Sequence, residues 1–525
     1  MSILYDNIVV FVIALVSCVY AWLYGGIVAS ALVPVMPWLW ALLLEVMICF
    51  PQKRGIETTY EARERVWRDC LKDPLTWVTV GFLLLLQIPF LNKGLCPLCD
   101  YAQIALGAEP EPQLKFLPWC VNRLNHLNVV MWFVPSLTAM LAVKHSLARR
   151  GKRMLLEIII WNGFLLALLG FVQQVAGAEA PLWGEFSRSG TAYFFSTFGY
   201  PNMGGDYFTT LFALAVGMWR WNYDALREEE HNEEKRGSAK KGPGSFWAKH
   251  YLLIPAIVFF FAALTTLSRA AIILVTLMAI IFFMHTFMTI FKSISRAKRA
   301  KASAACLIAL IGIALSTILF MPDDLQSEVD TLNTSAVLDR VTGKGQYHVR
   351  VATEVWKDAP IFGVGGWGYK HLCIPKMTPE ELKNIQSVGG INVHNDYLQF
   401  LAEHGIVGFG CLVALVVLLL WPLGAKWRLL IDTVRFTPVK KQPPRPLSVF
   451  VLPPPVFCIL IAATGTLIHA FADCPLRSPA VLSLFFIELA AMDGFLPHIE
   501  EVPKEEKEEK HHHHHHHHHH SHANS

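Results

Sequence analysis

The run HNDYLQFLAEHGIVG, His394 to Gly408, sets a titratable imidazole at the start of a short helical pattern inside an otherwise apolar chain. An imidazole titrates near neutral pH, so at a water–lipid boundary it can serve as a general base. That position suits chemistry on a lipid-anchored substrate. Tyr397, Leu398, Leu401 and Ala402 form an apolar stripe at helical spacing, Asn392 or Asn395 can cap the start, and Gly405 ends the helix. The helix dipole disfavours a cation at its N-terminus, which predicts a neutral His394 ring able to accept a proton. Spacing alone equally admits a plain capping or interfacial histidine.

Two arginines raise the question of anion binding. Arg269 sits in TTLSRAAIILV, between two apolar stretches with hardly a turn to separate them. A charge at the centre of a membrane span costs about 2.5–3.5 kcal/mol on insertion scales, so such an arginine needs a reason. It either snorkels to the headgroups or presents its planar fork to phosphate oxygens. Arg350, in GQYHVRVATEVWKDAPIFGVGGWGYKHL, falls in a pattern where Val349, Ala352, Val355 and Trp356 share one helical face. This predicts an amphipathic helix lying on the membrane surface, with Arg350 as an interfacial cation or an anion ligand. Arg340 lies ten residues earlier. Gly363, Gly365, Gly366 and Gly368 lack the GK[ST] of a phosphate loop and instead predict a tight re-entry turn. Cys96 and Cys99 lack the strand-to-helix setting of a redox pair, so structural bridging or free thiols are expected for them and for Cys120, Cys373 and Cys474. Asp323 and Asp324 read as a solvated loop start, and no metal site is expected.

These residues must be positioned by membrane helices. Hydrophobic residues make up 54% of the 525 and charged ones only 16%, which exceeds what a soluble domain carries. Apolar stretches recur near 7–25, 31–50, 74–91, 126–144, 153–175, 205–220, 251–267, 270–291, 303–321, 405–424, 448–471 and 479–495. The fold class expected is therefore an all-α polytopic membrane protein with about twelve spans. Asp6 and the second apolar stretch close behind argue against a cleaved signal peptide. Lys and Arg gather at 53–72, 144–153, 235–241, 292–301 and 426–441, in alternate loops. By the positive-inside tendency this places both termini in the cytoplasm and the segments near 92–125, 176–204 and 322–404 outside. The domain expected is 1–496, with the mainly helical 322–404 loop inserted. Residues 497–525 are a charged tail with the affinity-tag histidines 511–520, set aside from metal arguments. Residues 227–245 read as a charged linker without catalytic signal.

His394-Asn395, nine residues, then Gly405-Ile406-Val407-Gly408 resembles the H-[N/S/Q]-x9-G-x-x-G signature in the periplasmic loop of O-antigen ligases and their relatives, the O-antigen polymerases and protein O-oligosaccharyltransferases. FGYPNMGGDYF around Asn202, TLSRAA around Arg269, WKDAPIFGVGGWGY after Arg350 and LIHAFADCPL around His469 and Asp473 agree with it. The resemblance spans roughly 200–479, and it is closest to the ligases.

The resemblance implies a GT-C-like membrane glycosyltransferase of the bacterial inner membrane. It assigns the base to His394 and the donor pyrophosphate to Arg269 and Arg350, with Asn395, Asn202, Asp473 and Arg340 as supporting positions. The donor implied is an undecaprenyl-pyrophosphate-linked glycan and the acceptor lipid A-core oligosaccharide, without cofactor, metal or nucleic acid. Two guanidinium groups would stabilise the charge developing on the leaving pyrophosphate, and attack on the opposite face gives inversion. A growing glycan or a protein is the alternative acceptor. Two other classes compete. A transporter of lipid-linked sugars would show paired broken helices and midplane charges, whereas the charges here collect beside one enlarged loop. A non-catalytic assembly scaffold would tolerate loss of His394.

Overall fold

The computed structural model describes residues 7–92, 114, 116–184, 194–235, 244–291, 296–319, 346–382, 392–436 and 452–496. Arg340, Asp323, Asp324, Cys96 and Cys99 lie outside the described residues. Regular structure among the described residues is helical, apart from an isolated bridge between Phe195 and Phe198.

The helices used below are α1 (Ile8–Trp22), α2 (Met36–Cys49), α3 (Thr59–Lys72), α4 (Pro74–Leu91), α5 (Arg123–His145), α6 (Arg149–Val175), α7 (Pro201–Lys235), α8 (Leu253–Thr265), α9 (Arg269–Phe291), α10 (Arg296–Leu319), α11 (Gln346–Asp358), α12 (Asp396–Phe436), α13 (Pro454–Ala472) and α14 (Pro479–Ala491). Each of the twelve apolar stretches carries one of them. Among the described residues seven helices are long and apolar enough to cross a membrane: α4, α5, α6, α8 with its preceding turn, α9, the first thirty residues of α12, and α13. The chain is a polytopic helical membrane protein.

Burial follows side-chain pattern. Every residue of α14 is buried, and so are most of α5, because these helices are apolar on all faces. They pack on each other, and α7, α13, α1 and α2 surround them. α12 leans on α4 and carries α11 on its outer part. α3 is different: it starts with a reciprocal Thr58–Glu61 cap and is amphipathic. Its buried Arg65 donates to the carbonyls of Gln52 and His145 and pairs with Glu57.

The two ends of the bundle are chemically distinct. At one end the basic segments converge: Arg149 donates to the carbonyls of Gly494 and Leu496, and Lys152 pairs with Asp493. At the other end four loop segments lock together. Val121 N–H donates to Val364 O, Gly366 N–H to His126 Nδ1, Leu476 N–H to Asp396 Oδ2, and Ser478 Oγ to Gly25 O. The histidine run lies at this second end.

α12 is two helices in sequence, broken at Gly405, whose φ of 63° and ψ of −174° only glycine adopts readily. The freed backbone pairs with the glycine-rich turn: Ile406 N–H donates to Pro360 O, Val407 to Ile361 O, and Gly365 to Glu403 O. A Cβ on Gly405 would lie 2.3 Å from the Ile361 carbonyl, and one on Gly363 2.3 Å from the Glu403 backbone. The re-entry turn expected at Gly363–Gly368 is therefore a brace seated in the helix break.

The outer segment has its own core of Val351, Ala352, Val355, Val364, Tyr369 and Val393. This corrects the stripe expected for α11: Val351 is buried and Val349 is exposed. Periodicity identified an apolar face there, but the cover is the chain's own glycine turn and α12, which rotates the buried face by one position.

Candidate active site

Asn395 caps α12, accepting from Leu398 N–H at 3.1 Å. Asn392 instead receives Gln399 Nε2, while Gln399 Oε1 accepts Val393 N–H, so both flanks of His394 are tied to the first turns of α12. His394 itself has a φ of +52°, a left-handed conformation that costs a non-glycine residue about 1–3 kcal/mol. The surrounding bonds hold it there, and the ring is directed across to the end of α13.

There His394 Nδ1 lies 3.2 Å from Asp473 Oδ1. Asp473 ends α13, and its carboxylate also receives Tyr200 Oη at 3.0 and 3.1 Å, Asn202 Nδ2, and Cys474 N–H at 2.7 Å. Burial pushes the Asp473 carboxyl up, but pairing with His394 and the neighbouring donors outweighs it and holds the acid ionised, below its ordinary value. The His394 side chain keeps 35% of its surface exposed, against 11% for Asp473. The ring is thus open to solution through Nε2 while Nδ1 is oriented by the carboxylate.

The hydrogen bond to Asp473 raises the His394 pKa above its ordinary value, opposing partial burial. The direction expected from the helix dipole is therefore reversed. Asp473 is the stronger field, and it stabilises the imidazolium that proton uptake would create. A second ring, His348 of α11, sits 5.8 Å from His394. Burial and the neighbouring His394 push it down to about 4, so His348 is neutral where His394 titrates.

Below this site a polar ladder joins α7 to α13. Asn202, Asp206 and Thr210 recur one turn apart on α7 and face Asp473, His469 and Thr466 on α13. Asp206 lies 3.0 Å from His469 Nδ1 and accepts Thr466 Oγ1 at 2.8 Å, both partners fully enclosed. The ladder fixes the register of α7 against α13 and so places Asn202 under Asp473.

Arg269 stands exposed in the first turn of α9, behind Ser268, whose Oγ accepts Ala271 N–H. Gly205, three residues after Asn202, packs against this turn: a Cβ there would meet Ala271 and Ser268 at 2.5 and 2.9 Å. Close approach at Gly205 brings the start of α9 to the same end of α7 as the His394–Asp473 pair. Arg350 is placed otherwise. It is 41% exposed, pairs with Glu354 at 2.8 Å and grips Glu381 with two bonds of 2.8 and 3.0 Å. It follows His348 by two residues, about 200° around the helix, so the face presented to His394 carries His348 and not Arg350.

Sequence reasoning passed over Tyr200 and His348, although both lie within the quoted motifs, two residues from Asn202 and Arg350. It also passed over Arg477, a lone cation four residues after Asp473 in an apolar run. His394, Asp473 and Cys474 each bring one donor atom to within 4.8 Å of the others. Burial and the adjacent Asp473 push the Cys474 thiol well above its ordinary value. Cys120, Cys373 and Cys474 are free thiols.

A helical membrane bundle whose solvent-facing end carries an imidazole backed by a buried carboxylate is the class of protein these observations define. Residues 254–413 match the family model described as O-Antigen ligase. The match runs from α8 into α12 and takes in Arg269, Arg350 and His394, while Tyr200, Asn202 and Asp473 lie outside it. No curated protein matches the chain.

Proposed function

We propose that the chain is a membrane glycosyltransferase of O-antigen ligase type, moving a glycan from an undecaprenyl-pyrophosphate donor to a sugar hydroxyl of lipid A-core oligosaccharide at the periplasmic face of the inner membrane. The observation that carries this reading is the His394–Asp473 pair beside the family match, with Nδ1 engaged and Nε2 open. The acceptor hydroxyl gives its proton to His394 Nε2 as its oxygen bonds the anomeric carbon. The carbon–oxygen bond to pyrophosphate breaks, and the pair of electrons leaves with the lipid pyrophosphate. Attack and departure on opposite faces invert the anomeric centre. Asp473 holds the correct tautomer and stabilises the imidazolium, while Arg269 meets the leaving group. Arg350 must surrender Glu354 and Glu381 before it can meet phosphate.

A polymerase or protein-glycosylating enzyme would use the same site with another acceptor. The deciding assay supplies purified protein with a lipid-linked glycan and, in parallel, lipid A-core, a second donor molecule or an acceptor protein. Glycosylated lipid A-core is the expected product, and it should form in excess chelator. Lengthened donor glycan alone would reassign the chain as a polymerase; glycosylated protein alone would make it a protein glycosyltransferase. No transfer to any acceptor would overturn the enzyme reading.

A further inference from the structure

We propose that Arg477 is a positioning residue that holds His394 in register with Asp473 by tying together the two loops that carry them. This rests on the base assignment above and adds a second tier to it.

Arg477 lies four residues beyond Asp473 and is 1% exposed. Its Nη2 meets Glu403 Oε2 at 2.6 Å, and its Nε lies 3.8 Å from Asp396 Oδ1. Both carboxylates belong to the helix that begins two residues after His394. The guanidinium is also enclosed by aromatic rings, 4.8 Å from the Trp367 centroid and 5.2 Å from that of Phe400. Trp367 comes from the brace seated in the Gly405 break, so one cation joins its own loop to two other segments. Asp396 accepts Leu476 N–H at 2.9 Å, and Glu403 accepts Gln399 Nε2, the same Gln399 that ties Asn392 and Val393. A continuous set of bonds thus runs from the backbone flanking His394, through α12, to the chain flanking Asp473.

The arrangement answers a physical need. The His394 backbone is held in a left-handed conformation, and its hydrogen bond spans two segments far apart in sequence. A pair built on a strained loop relaxes unless the loop is restrained from both sides. Burying a cation with two acidic side chains is costly, and the isosteric apolar alternative would suffice for packing alone. An orienting role accounts for the charges. Arg477 does not touch the reacting atoms, because it is sealed beneath them.

The test reads His394 directly. Carbethoxylation by diethyl pyrocarbonate attacks only the neutral ring, and peptide mass spectrometry follows its rate at His394 across pH in the wild-type protein, Asp473→Asn, Arg477→Met and Arg477→Lys. The titratable groups facing His394 are Asp473, Cys474 and His348. Losing the nearby Arg477 cation through space alone would raise the proton affinity of His394. Losing the His394–Asp473 hydrogen bond would lower it, so the two causes have opposite signs. The expected result is a fall of about threefold or more for Arg477→Met, towards the Asp473→Asn value, with partial recovery in Arg477→Lys. In the transfer assay kcat should drop on the order of 10²-fold with donor KM nearly unchanged. An unchanged or raised proton affinity in folded Arg477→Met overturns the proposal. Where that variant fails to fold, Arg477→Met with Glu403→Gln removes the charge of the nearer acidic partner as well, and the same signs decide. Should the wild-type protein show no transfer at all, the enzyme reading fails while the His394 titration still judges the clamp.

Discussion

Two histidine–aspartate pairs end α13, one turn apart, and they differ in access. His469 and Asp206 meet at 3.0 Å with exposures of 0% and 1%, enclosed between α7 and α13. His394 and Asp473 meet at 3.2 Å with the imidazole one-third exposed. The contacts are alike in chemistry and length. Only the outer pair has a ring open to solution, so the proposed function assigns proton transfer to the outer pair and register to the inner one.

Substitution at the two histidines gives the largest expected contrast. His394→Ala should lower transfer by 10²–10⁴-fold, the usual worth of a general base, and leave insertion and thermal stability near wild type. His469→Ala should instead destabilise the bundle by about 3–5 kcal/mol, because it leaves a buried carboxylate short of its partner. Thermal unfolding in detergent beside the transfer assay separates them. Full activity in His394→Ala, or a stable and inactive His469→Ala, would reverse the assignment of roles.

Asp473→Asn sharpens the outer pair alone. A base must be deprotonated to act, so the wild-type rate should fall on the acid side as pH drops through the raised His394 pKa. Removing the carboxylate lets that value return downwards, and the acid limb should move to lower pH while the plateau falls about 10–10²-fold. A limb that stays in place would mean that another group titrates.

The smallest expected difference concerns the arginines. Arg269→Lys keeps the charge but loses the fork, and about a tenfold loss of transfer is expected. Arg350→Lys should change the rate less than about threefold, since its fork is spent on Glu381. Rates measured at matched donor concentration decide, and the reverse order would make Arg350 the phosphate ligand.

The sequence alone determined a good deal. Apolar runs long enough for a bilayer, interrupted by basic clusters in alternate loops, set the helical membrane class, because hydrocarbon admits no unsatisfied backbone. The glycine spacing located the break at Gly405, because few residues adopt that conformation. His394 stood out because an imidazole is conspicuous beside an apolar helix. What the tertiary structure decided was partnership. Asp473 lies 79 residues from His394 and Asn202 lies 271 from Asp473, separations across which no local period carries information. The same holds for the direction of the His394 shift: its helix dipole is local and legible, but the stronger carboxylate arrives from another helix. α11 displays the principle in small compass, since its periodicity promised one apolar face, and packing against α12 and the glycine turn chose which residues fill it and sent Arg350 outward.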